Sequence, residues 1–137
     1  MLTVGLARDA TTVVTPADSA TLVFPLVPDV YASARMIALI EGTCAALMAE
    51  HLAPGETSVG VDFQFSHEAA TPIGMTVRVS VRLVEIDRRR CVFEVEGHDA
   101  TDRITVGRHE RFVVDREKFM TRVRSKGQGV ARPGREG

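Results

Sequence analysis

Residues 32–52, running from Ala32-Ser33-Ala34-Arg35-Met36 to Met48-Ala49-Glu50-His51-Leu52, constrain this chain more than any other stretch. They are rich in Ala, Leu and Met, strong helix formers, and contain no Pro. At about 100° per residue, Met36, Ile37, Ile40, Cys44, Leu47, Met48 and Leu52 share one arc, and Ala fills most of the remaining surface. A helix this apolar all round is expected to be buried, with Ser33 as its N-cap. Glu41 interrupts the arc, one turn from Ile37 and from Ala45. A carboxylate there needs a partner, a proton or a reaction to serve.

The flanking sequence predicts strands. Thr11–Thr15 and Ala20–Phe24 lean towards β structure and are split by the turn-forming Pro16-Ala17-Asp18-Ser19, which suggests one broken first strand. Pro25 and Pro28 then make residues 24–31 a connector, well placed to act as a lid. After the stop at Pro54-Gly55, residues 58–65 alternate, with Val59, Val61, Phe63 and Phe65 on one side and Gly60, Asp62 and Gln64 on the other. The same parity carries His67 to the inward side at the strand end. Residues 75–83, 91–98 and 104–114 read as three more strands, and residues 115–124 as a short helix. The expected class is α+β: a curved antiparallel meander wrapped round one long central helix, a pattern that resembles the hotdog fold. Residues 1–124 then form a single domain, and the Gly-, Arg- and Pro-rich residues 125–137 a disordered basic tail.

Several function classes are disfavoured. Seventeen Lys and Arg against eighteen Asp and Glu leave a net charge of −1, without the field that draws a chain to nucleic acid or an anionic membrane. Glu41 and Glu50 interrupt the apolar helix, and no basic segment leads into an apolar run near Met1, so neither a span nor an export signal is expected. Cys44 and Cys91 lack metal or Cys-x-x-Cys spacing and are expected to be reduced core thiols of a cytoplasmic protein. His51, His98 and His109 share no ligand spacing, so no metal site and no cofactor are expected. Nucleophile-elbow, Walker and dinucleotide motifs are absent.

Taken singly, the polar candidates are ordinary. Glu41 is about evenly balanced between a structural carboxylate paired with a sheet Arg and a functional one. His67 reads as a hydrogen-bonded loop residue, Ser33 as a cap and Arg111 as a strand charge. The combination Val30-Tyr31-Ala32-Ser33, Leu39-Ile40-Glu41, Leu52-Ala53-Pro54-Gly55-Glu56, Ser58-Val59-Gly60, His67-Glu68-Ala69-Ala70, Gly97-His98-Asp99 and Gly107-Arg108-His109-Glu110-Arg111 changes that reading. It strongly resembles the fluoroacetyl-CoA thioesterase family of hotdog proteins, from the connector to the C-terminal helix.

The resemblance implies a catalytic set of Ser33, Glu41 and His67. It also implies substrate contacts from His67, from Gly60 through its backbone, from Arg111 on the last strand and from Phe24 in the lid, in pockets made at a homodimer interface. Where the family has Thr this chain has Ser33, and where the lid has a second Phe this chain has Val27. The implied substrate is a short-chain, acetyl-like acyl-CoA. Glu41, desolvated by Ile37, Cys44 and Met48, would be the base or the carboxylate nucleophile. His67 would exchange the proton, Ser33 would position water or the carbonyl, and a backbone N–H near Gly60 would bind the oxyanion. Two alternatives stand beside hydrolysis. One is a non-catalytic acyl-CoA-binding module. The other is a hotdog hydratase or dehydratase, disfavoured because no Asp and His pair follows the helix in one loop.

Overall fold

The computed structural model describes residues 1–131. Strand β1 (Ala7–Val13) leads through two short 3₁₀ turns into helix α1 (Ser33–Ala49), followed by β2 (Glu56–Phe65), β3 (Thr76–Asp87), β4 (Arg90–His98), β5 (Arg103–Asp115) and helix α2 (Arg116–Lys126). The strands form one antiparallel sheet in the order β1-β3-β4-β5-β2. Period-two alternation sends Val77, Val79, Val81 and Leu83 of β3 to the inner face, with Phe93 and Val95 of β4 and Ile104 of β5. There they meet Met36, Ile40, Cys44, Leu47 and Met48 of α1. This is the helix-on-curved-sheet arrangement that the sequence predicts.

Four local expectations are corrected. Residues 20–24 are not a strand: Pro16–Asp18 and Ala20–Leu22 are 3₁₀ turns, because Pro16 and the Ser19 side chain favour turn closure over a ladder. Only β3, β4 and β5 form a meander. Residues 66–75 are long enough to cross the sheet, so β2 pairs with β5 at the edge and β1 pairs with β3. A β-bulge between Gly60 and Asp62 inserts Val61 into β2 and reverses the parity beyond it. Gly60 opposite Arg111 and Phe63 opposite His109 therefore both face inward. Finally, α1 is buried on one face only. Ala34, Ala38, Gly42, Ala46 and Ala49 are exposed, leaving a smooth small-residue surface.

Helix α2 is capped by Asp115, whose side chain accepts from the Lys118 N–H at 3.0 Å, and continues to Lys126. Residues 125 and 126, expected to begin the tail, are thus helical, and the tail from residue 132 onward lies outside the described residues. Among the described residues, no helix is long and apolar enough to cross a membrane.

Candidate active site

The crossover after β2 brings His67 to the start of α1. Tyr31 N–H donates to the Thr71 carbonyl at 2.9 Å, and Val30 bridges to Pro72, so the connector and the crossover are stitched together. Ser33 Oγ then lies 2.6 Å from His67 Nδ1. Ser33 is not the N-cap. That position belongs to Ala32, which has no capping side chain, and the Ser33 hydroxyl is turned to the imidazole instead. Burial pulls the His67 imidazole below its ordinary value, which favours the neutral ring able to accept the hydroxyl proton. A cleft of about 390 Å³ opens over the pair, walled by Val23 at the end of the second 3₁₀ turn, by Phe24 and Val27 of the connector and by Ala69 and Ala70 of the crossover. Leu26, at the tip of the connector, is fully exposed and holds a left-handed φ of 70°.

A second cluster lies two turns further along α1. Arg111 NH1 donates to Glu41 Oε2 at 3.0 Å, and the Arg111 side chain is only 6% exposed while that of Glu41 is 38% exposed. Ser58 holds the rest of the guanidinium, its hydroxyl accepting from Nε at 2.9 Å and its carbonyl from NH2 at 3.0 Å. Gly60 completes the cluster by having no side chain. A Cβ there would stand 2.4 Å from Glu41 Oε2 and 2.9 Å from the Phe63 ring, so the carboxylate rests against bare backbone. Glu41 is therefore ion-paired and half-open, not enclosed by the apolar arc as its helix position suggested. The Cys44 thiol beneath is pushed up to about 12, chiefly by burial, and is inert as a nucleophile.

The structure thus brings Ser33, His67 and Phe24 together, and Glu41, Gly60 and Arg111 together, as two clusters. Eight residues at about 1.5 Å rise separate Ser33 from Glu41 by about 12 Å along the helix axis, too far for one small acyl group within one chain. Glu41 does not line the Ser33–His67 cleft. Reading residues one by one missed Ser58 and His109. The available signal was their position two residues from Gly60 and from Arg111, on the same inward face. Among the described residues, no group of three His, Cys, Asp or Glu side chains is placed to hold a metal.

Comparison with known proteins finds relatives over most of the chain. The family model of FlK, fluoroacetyl-CoA-specific thioesterase, matches residues 14–117. A fluoroacetyl-CoA thioesterase from Streptantibioticus cattleyicolor is 43% identical over 99 residues, covering 72% of this chain and 71% of that protein. The solved structure of the fluoroacetyl-CoA thioesterase FlK superposes with a TM-score of 0.87 at 37% identity, covering 92% of this chain and 98% of that one. A thioesterase superfamily member from Thermus thermophilus superposes with a TM-score of 0.84 at 28% identity, over 92% of this chain and 93% of that one.

Proposed function

Because the chain belongs to the fluoroacetyl-CoA-specific thioesterase family, its activity is acyl-CoA thioester hydrolysis, and we propose that a short-chain, acetyl-like acyl-CoA is the substrate. The reaction releases the acid and free CoA. The observation that carries this reading is the Ser33–His67 hydrogen bond under a small cleft walled by apolar residues, sized for a short acyl group. Val27 on the lid side of that cleft leaves more room than an aromatic residue would, which favours unfluorinated or somewhat larger short acyl groups.

In the mechanism proposed here, Glu41 is the base that activates water, or the carboxylate that attacks the acyl carbon directly. Neutral His67 exchanges the proton through Ser33, which positions the attacking water or the carbonyl. A backbone N–H near Gly60 binds the oxyanion at close range, because no Cβ intervenes. Arg111 fixes the Glu41 carboxylate through NH1, and in this reading it lies beside the acyl group that Glu41 serves. The thiolate leaves readily and needs little help.

A second copy of the chain supplies the missing proximity in this reading. β2 is a ten-residue edge strand with Val61 and Phe63 exposed, the kind of edge that natural proteins cover. Pairing of two such edges about a two-fold axis sets the small-residue faces of the two α1 helices side by side, running in opposite senses. Glu41 of one copy then approaches Ser33 and His67 of the partner subunit, and each dimer holds two composite sites.

Thiol release from a panel of acyl-CoAs graded in length tests the proposal. Acetyl-CoA and its small relatives are expected to turn over fastest, and Glu41→Gln to lower kcat by about 10²-fold or more while the fold persists. Ligand-induced thermal stabilisation without thiol release would instead identify a binding module.

A further inference from the structure

We propose that His109, which none of the roles above uses, is a positioning residue: it holds Arg111, and through Arg111 the Glu41 carboxylate, in reacting geometry. The inference rests on the reading of Glu41 as base or nucleophile. His109 is fully buried on the inner face of β5. Its Nε2 lies 3.2 Å from Arg111 NH1 and its Nδ1 2.9 Å from the Asp62 carbonyl oxygen. A guanidinium carries only N–H donors, so Nε2 must be the acceptor in the first contact. The ring proton then sits on Nδ1 and is donated to Asp62. Both ring nitrogens are used, and the tautomer is fixed by its neighbours. Burial, the largest influence, pulls His109 below the ordinary imidazole value; the hydrogen bond to the Asp62 carbonyl and the Glu41 and Asp62 charges oppose it, Arg111 adds to it, and the net shift is downward, so the neutral ring with a free lone pair is favoured.

The consequence lies in how Arg111 is held. Nε and NH2 are spent on Ser58, and NH1 is shared between His109 and Glu41. Ser58 and His109 both belong to the sheet, so the sheet grips the guanidinium from two sides and presents NH1 to the single partner on the helix. Without the Nε2 lone pair, NH1 loses its sheet-side acceptor, and the carboxylate is free to drift with it. The bulge supplies the other half of the clamp, since the carbonyl that accepts from Nδ1 belongs to Asp62, directly after the inserted Val61. Phe63 packs over the ring with centroids 4.7 Å apart and planes inclined by 32°, which fixes its orientation.

A packing role and a positioning role predict opposite orders of activity. Phe at 109 keeps the aromatic packing and removes the acceptor, Gln reaches the Nε2 position with a carbonyl, and Asn reaches only the Nδ1 position. For His109→Gln, kcat is expected within about threefold of the wild type, and for His109→Phe and His109→Asn about 10- to 100-fold lower with KM little changed. The measurements are steady-state thiol release from the fastest acyl-CoA of the panel and thermal melting of each variant. His109→Phe at or above His109→Gln in kcat, or Asn and Gln performing alike, would overturn the proposal. Should the Phe variant fail to fold, the Asn and Gln pair decides alone. Failure of the underlying reading is separable, because Glu41→Gln would then retain turnover whatever the His109 series shows.

Discussion

Burial sets the working state of His67. Although His67 is exposed on one side, partial desolvation in the cleft pulls its ring below the ordinary value, so it is neutral at pH 7 and becomes a cation only as pH falls through a value under the usual 6.5. If the neutral ring takes the proton from Ser33, kcat/KM holds at neutral pH and falls on the acid side with that titration. A pH profile of thiol release, set beside an NMR titration of the His67 ring, checks the correspondence. An acid limb centred above 6.5 would remove His67 from the role. Ser33 belongs to the same unit. As the first helical residue it follows an N-cap, Ala32, that has no capping side chain, and its hydroxyl goes to the imidazole instead.

At the scale of elements, β2 decides which groups meet. Its single inserted residue turns Gly60, Phe63 and Phe65 to one face, so that a bare backbone position lies against Glu41 and two aromatic rings flank His109. Replacing Gly60 by Ala places a methyl group 2.4 Å from Glu41 Oε2 and 2.9 Å from the Phe63 ring, and with Arg111 held by Ser58 and His109 it is the partly exposed Glu41 and Phe63 side chains that yield. They can move aside at little cost to the fold, and the carboxylate loses its place. Gly60→Ala is expected to lower kcat by about 10- to 100-fold while the melting temperature changes by only a few degrees. A variant that keeps full activity would show that the carboxylate needs no such approach. Part of β2 was legible in the residues: that it is a strand, its end at Phe65 and its half-buried character. The bulge was not, because an inserted residue leaves no mark in an alternating pattern until the partner strand shows which positions are opposed.

For the whole molecule, the proposed dimer covers the open face of α1 and the edge of β2 together. The helix face carries Ala34, Ala38, Gly42 and Ala46, small enough for another helix to approach closely, and the edge strand beside it exposes Val61 and Phe63. If sites are shared between copies, Glu41→Gln and His67→Ala chains are each inactive alone but complement when mixed and allowed to exchange. Random pairing then restores about a quarter of wild-type activity, since half the dimers are mixed and each holds one intact site. No recovery, in a mixture shown by light scattering to be dimeric, would mean that each chain builds its own site. A monomeric mass at working concentration would remove the composite site altogether.

The class of fold, the long helix, the presence and order of the four strands after residue 55 and the family resemblance could all be read from residues in order, because periodicity and spacing are local properties of a chain; β3 runs on to Asp87, four residues beyond its expected end. The resemblance also singled out Ser33, Glu41, His67, Gly60, Arg111 and Phe24, although nothing in their spacing said how they would divide. Tertiary structure decided that division. It set Ser33 against His67 through a crossover loop, and Glu41 against Arg111, 70 residues further along the chain. It also turned His109 from one more strand histidine into the second holder of Arg111. Contacts of this kind depend on register, bulges and crossover lengths, which are settled only when distant segments pack together.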